Sequence, residues 1–187
     1  MSLFKLKDWW STTLGHSEQF SGGGLAVGAI DNLGQPRIIS GSLQGWLRVH
    51  DPLVPGRTQD RMKSLLLEVH LDAPIYQIEV GRATPGAHAI AVLHPSKLRV
   101  CTCSARNPRG SNIETSHLEL IPQYIHHFEV RNIGTHAFSM CLGSFGGQID
   151  RDMILVQHMD GHATIYDYDV RSAKLACLIC FVTMSLF

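Results

Sequence analysis

The chain has 187 residues, 44% of them hydrophobic, which is enough to bury a sizeable core. Sixteen Lys and Arg balance sixteen Asp and Glu, so no net field recruits nucleic acid or an anionic membrane. No stretch reaches the roughly 18–20 uninterrupted apolar residues of a membrane-spanning helix, and the opening Met1-Ser2-Leu3-Phe4-Lys5 lacks the apolar run of a secretory signal.

In chain order, residues 1–23 read as an N-terminal arm. Residues 8–13 suit either one helical turn or an extended anchor. Trp9 and Trp10 have two readings. They form an interface hot spot, since tryptophan dominates binding patches, or they anchor the arm to the core.

Residues 24–174 read as a partial β-propeller, because three segments repeat one another. The first unit (about 24–72) runs Leu25-Ala26-Val27-Gly28-Ala29-Ile30, then Arg37-Ile38-Ile39-Ser40-Gly41, a turn at Leu43-Gln44-Gly45, and Trp46-Leu47-Arg48-Val49-His50. Its fourth strand is Leu65-Leu66-Leu67-Glu68-Val69-His70-Leu71, with Leu67, Val69 and Leu71 on one face and Glu68 and His70 on the other. The second unit (about 76–130) runs Ile78-Glu79-Val80-Gly81, Ala89-Ile90-Ala91-Val92-Leu93, a turn, and Leu98-Arg99-Val100-Cys101. An outer strand falls around 118–129, where Pro122 disfavours an unbroken central strand. The third unit (about 137–174) runs Met140-Cys141-Leu142-Gly143, Met153-Ile154-Leu155-Val156, the turn Met159-Asp160-Gly161, and Ala163-Thr164-Ile165-Tyr166.

The glycines closing the first runs lie at 28, 81 and 143, intervals of 53 and 62 residues. Loops at 52–63 and 104–116, rich in Pro, Gly, Arg, Asn and Ser, account for the drift. Arg48 and Arg99 fall at matching places, Trp46 is expected to pack between blades, and Gly41, Gly45 and Gly161 are expected to serve backbone geometry at turns. The fold expected is all-β, an incomplete propeller of about three four-stranded blades. Propellers typically close at 4–8 blades, so two sheet edges and the apolar faces of the terminal blades should be open. The divergent apolar tail at 175–187 should form the outer strand of the third blade, and reads as an abrupt end to a larger protein's sequence.

Catalytic and metal patterns are weak. Gly22-Gly23-Gly24 lacks the Gly-Lys-Ser/Thr of a phosphate loop, and in Gly143-Ser144-Phe145-Gly146-Gly147 the serine directly follows the glycine, unlike a nucleophile elbow. The five cysteines (Cys101, Cys103, Cys141, Cys177 and Cys180) form no regular framework and are expected to be reduced thiols in a cytosolic compartment. Cys101 and Cys103, Cys177 and Cys180, and histidines at 126–127 and 158–162 share no spacing that joins them into a four-ligand zinc set. No catalytic residue, metal site or cofactor is expected, and the chain reads as no enzyme.

A resemblance is carried by Met1-Ser2-Leu3-Phe4-Lys5, Asp8-Trp9-Trp10-Ser11-Thr12 with Leu14-Gly15, Ile39-Ser40-Gly41-Ser42 with Gly45, and Leu65-Leu66-Leu67-Glu68-Val69. Ala91-Val92-Leu93-His94 and Gly143-Ser144-Phe145-Gly146-Gly147 with Arg151-Asp152 continue it in order, to about residue 169. Together these resemble the family of the ninth Bardet–Biedl syndrome protein, also called the parathyroid-hormone-responsive family. The resemblance implies a seven-bladed propeller of which this chain holds an N-terminal portion. It further implies a non-enzymatic scaffold subunit of the BBSome, a coat-like complex moving membrane proteins to and from cilia and serving ciliogenesis. Implied partners are other BBSome subunits and, peripherally through the complex, the ciliary membrane, with no nucleic acid and no small-molecule substrate. The implied location is the cytoplasm, the cilium, and the centrosome or centriolar satellites. The alternatives are a ligand-binding or enzymatic propeller, or a truncated product without function.

Overall fold

The computed structural model describes residues 10–30, 34–52, 64–103, 125–131, 133, 136–145, 147, 149–169 and 174–178. All twelve elements among them are β-strands: β1 (Leu25–Ala29), β2 (Pro36–Gly41), β3 (Trp46–His50), β4 (Leu65–His70), β5 (Gln77–Thr84), β6 (Ala87–Leu93), β7 (Lys97–Cys103), β8 (Ile125–Arg131), β9 (Ala137–Gly143), β10 (Met153–His158), β11 (Ala163–Asp169) and β12 (Lys174–Leu178). They form three four-stranded antiparallel sheets of consecutive strands, β1-β2-β3-β4, β5-β6-β7-β8 and β9-β10-β11-β12. The first strands lie side by side, β1 against β5 and β5 against β9. This is an all-β fold of partial propeller form, with three blades in an arc.

Hairpins set each blade's register. Ser42 N–H donates to Trp46 C=O at 2.9 Å, His94 to Lys97 at 2.9 Å, and His158 to His162 at 2.8 Å. Gly45 (φ +90°) and Gly161 (φ +85°) turn two of these corners in the left-handed region that a Cβ disfavours. Gly41 departs from the turn expectation. It ends β2 without positive φ, and a Cβ there would lie 2.6 Å from Ile75 Cγ2, so close packing is what requires glycine.

Of the outer strand expected around 118–129, residues 125–129 lie in β8, and Pro122 with the rest of 118–124 lies outside the described residues. Residues 53–63 of the first loop, the 104–116 loop and residues 179–187 of the tail lie outside the described residues. Residues 175–178 of the tail lie in β12, which pairs with β11 as the third blade's outer strand.

The alternation of side chains divides the core in two. Ile39, Leu47, Val49 and Leu67 of the first blade meet Ile78, Ile90, Val92 and Cys101 of the second. The second blade's other face, with Ala89, Ala91, Leu93, Leu98 and Val100, meets Met140, Ile154, Val156 and Tyr166 of the third. The continuous apolar run of β6 follows directly, since its side chains serve both cores. Each fully buried aliphatic side chain contributes about 1.5–3 kcal/mol. The cores lie between blades.

Candidate interaction surface

The register aligns the three blades residue by residue. Leu25 pairs with Ser40 and Ser40 with Arg48. Ile78 pairs with Val92 and Val92 with Arg99. Met140 pairs with Val156 and Val156 with Thr164. Arg48 and Arg99 therefore hold one position, and Thr164 holds it in the third blade.

At that position an acidic residue from the segment entering the blade grips the arginine. Glu18 receives hydrogen bonds from both terminal nitrogens of Arg48, at 2.8 and 2.7 Å, while Arg48 Nε reaches Glu68 at 2.5 Å. The Arg48 hydrogen bond holds the Glu18 carboxyl below its usual range, and Glu18 in turn raises the guanidinium. In the second blade Asp72 accepts from Lys97 Nζ at 2.6 Å and from Arg99 at 2.9 Å. The Lys97 hydrogen bond, more than any other influence, depresses the Asp72 carboxyl. Sequence reading matched the arginines and missed Glu18 and Asp72. The signal was available, a carboxylate six or seven residues ahead of the matched positions Leu25 and Ile78.

The arm lies on the face of the first blade that is turned away from the second. Trp10 tilts over His50, ring centroids 5.6 Å apart, and Leu43 N–H donates to Gln19 C=O at 2.8 Å. His50 and Ser40 beneath are 4% and 2% exposed, and among the described residues neither the His50 ring nitrogens nor Ser40 Oγ has a hydrogen-bond partner. Burial, and secondarily Arg48, pushes the His50 imidazole below its usual value. This open face is thus polar at its centre. Its apolar residues include Leu25 and Val27 of the inner strand, 63% and 66% exposed, and the half-buried Ile38 that pairs with Val27. The third blade's open face differs, with Cys141 exposed and Leu155 and Ile165 half-buried.

Trp9 lies outside the described residues. Trp46, on the first blade's face turned away from the second, has ring contacts to the His70 ring at 4.9 Å and to the Arg48 guanidinium carbon, 5.5 Å from its centroid. Cys101 is buried in the first core and its thiol is pushed up to about 12, chiefly by burial. Among the described residues no three His, Cys, Asp or Glu side chains are grouped to hold a metal ion, and no helix is long and apolar enough to cross a membrane.

Two polar joints tie the inner strands together. Ile78 N–H donates to Gly23 C=O at 2.9 Å. At the matched position Met140 N–H donates to Gln77 Oε1 at 2.8 Å, and Met140 C=O accepts from Gln77 Nε2 at 2.7 Å. At the other end of β5, Arg82 N–H donates to Asp152 Oδ2 at 2.8 Å, and Asp152 N–H returns to Arg82 C=O at 3.0 Å. What the residues build is a set of blade-to-blade joints and two outward blade faces.

Residues 1–182 match the family model described as PTHB1 N-terminal. The chain is 39% identical over 175 residues to Protein PTHB1 of Homo sapiens, covering 90% of this chain and 19% of that protein. It is 39% identical over 175 residues to Protein PTHB1 of Xenopus laevis, covering 90% and 20%. To Protein PTHB1 of Mus musculus it is 37% identical over 174 residues, covering 90% and 19%. The chain spans about a fifth of the length of these relatives. With its model matched across nearly every residue, the chain belongs to the PTHB1 N-terminal family.

Proposed function

We propose that this chain is a non-enzymatic scaffold element of the BBSome coat complex, acting in traffic of membrane proteins to and from the cilium and in ciliogenesis. The observation that carries this reading is the family match across residues 1–182. The fold is compatible with it physically, because its cores lie between blades and the first blade's inner strand exposes Leu25 and Val27. In this role its partners are other BBSome subunits, its contact with the ciliary membrane is peripheral and made through the complex, and it works in the cytoplasm, the cilium and the centrosomal region.

The test is a pull-down of the tagged chain from ciliated cells beside full-length PTHB1, with bound proteins identified by mass spectrometry. Recovery of BBSome subunits with the chain is the expected result. Recovery with the full-length protein alone, and chaperones with this chain, would assign scaffolding to longer forms.

A further inference from the structure

Aspartate followed by glycine occurs once in the chain, at Asp160-Gly161, and asparagine followed by glycine not at all. The pair forms the corner of the β10–β11 hairpin, which His158 N–H closes onto His162 C=O at 2.8 Å. Gly161 stands at φ +85°, and its N–H donates to His158 C=O at 3.2 Å, the long end of the N–H···O range. The Asp160 side chain is 57% exposed.

That exposure belongs to the turn and not to the third blade's place in the arc. Asp160 stands two residues after His158, as Gln44 stands two after Ser42 in the matching hairpin of the first blade. Gln44 is exposed as well, although the segment leading to the second blade lies on its neighbour, Leu71 N–H donating to Gly45 C=O at 2.7 Å. Beside the Asp160 carboxylate is a proton donor, since the Nδ1 and the main-chain N–H of His162 both lie 3.1 Å from Oδ1. On the other side is Gly161, with no Cβ to hinder an approach of its nitrogen to Asp160 Cγ.

We propose that Asp160 is a site of spontaneous isoaspartate formation, with His162 as the proton donor. The Gly161 nitrogen bonds to Asp160 Cγ and closes a five-membered succinimide, while Oδ1 leaves as water. Of the two protons that this oxygen takes up, one comes from the Gly161 amide and one from the His162 imidazolium. Water then opens the ring at the Asp160 main-chain carbonyl, breaking its bond to the Gly161 nitrogen. The chain now runs through the former side chain and carries a free α-carboxylate, and no oxidant, reductant or cofactor is consumed. The extra methylene falls at the corner where Met159 N–H holds His136 C=O at 3.0 Å, so the hairpin's tie to the segment entering its own blade should loosen. The product is a substrate of the carboxyl methyltransferase class that repairs isoaspartyl residues.

Ageing of the purified, folded chain at neutral pH and body temperature over several weeks tests this. Isoaspartate is counted by enzymatic methylation with a labelled methyl donor and located by electron-transfer fragmentation of the tryptic peptide 152–171. It should accumulate at Asp160 while Asp152 and Asp167 of the same peptide stay normal. Asp160→Glu, which keeps the charge at an exposed position and leaves circular dichroism unchanged, should abolish methylation of this peptide. His162→Gln should slow accumulation severalfold with circular dichroism again unchanged. Isoaspartate that forms only in urea, that appears at Asp152 and Asp167 as fast as at Asp160, or that accumulates at a rate indifferent to His162→Gln overturns the proposal.

Discussion

The Gln77 side chain brackets the main chain of Met140 across a blade boundary, its Oε1 accepting from Met140 N–H at 2.8 Å and its Nε2 donating to Met140 C=O at 2.7 Å. Gln77 Nε2 also reaches Glu79 at 2.8 Å. One amide therefore does between the second and third blades what main-chain pairing does within a sheet. Gln77→Leu removes both bonds and should destabilise the chain by about 2 kcal/mol, the cost of stranding polar main-chain groups. Urea unfolding measures the loss, and hydrogen exchange at the Met140 amide should accelerate.

The glycine joints predict a compensating pair. Gly28→Ala places a methyl against Val80 and should cost about 1–3 kcal/mol by overpacking. Val80→Ala in the same chain should recover most of that loss, and a double-mutant cycle should return coupling above about 0.5 kcal/mol. Additive losses would show that the two side chains do not meet.

Acid should release the arm through Glu18. Its folded carboxyl is held by Arg48 below the ordinary value of about 4.3. Its stabilisation is therefore full above that value and is lost as pH falls through the folded one. Tryptophan fluorescence followed from pH 6 downward should report Trp10 leaving His50. Glu18→Gln should show a weakened arm already at neutral pH.

Two buried histidines set a second pH dependence. Burial is the main cause of depression at both His50 and His94, and His94 Nδ1 lies 2.8 Å from Pro74 C=O. The folded state binds fewer protons, so stability is full above about 6.5 and declines as pH falls through the folded values. His50→Phe should flatten part of that slope between pH 6.5 and 5 in urea titrations. It should also raise stability at neutral pH by about 1 kcal/mol, since two ring nitrogens without a hydrogen-bond partner among the described residues leave the interior.

Thiol accessibility should separate Cys141 from Cys101. Cys141 is exposed, whereas Cys101 is buried with its thiol pushed up to about 12, and the thiolate is the reacting form. Brief alkylation followed by peptide mass mapping should label Cys141 first, and Cys101 only after denaturation. Equal labelling would contradict the inter-blade core.

The strand inventory was legible because alternation, turn glycines and the internal repeat are all local properties of the sequence. Ala89-Ile90-Ala91-Val92-Leu93 announced a strand apolar on both faces before any neighbour was known. Matching Arg48 to Arg99 also needed only the repeat. The partners of those arginines did not follow from it, since Glu18 is 30 residues from Arg48 and Asp72 is 27 from Arg99. Trp46 and Gly41 show the same limit. Each was placed on its strand, but the tryptophan's ring contact with His70 and the glycine's close approach to Ile75 were not written in the repeat.

By itself, then, the sequence determined an all-β chain of three repeated four-stranded units, because strand period and turn chemistry are written in adjacent residues. Only the tertiary structure decided which face of each blade meets its neighbour and that Gln77 binds Met140. Those outcomes depend on side chains that are distant in sequence and are brought within a few ångströms only when the blades pack.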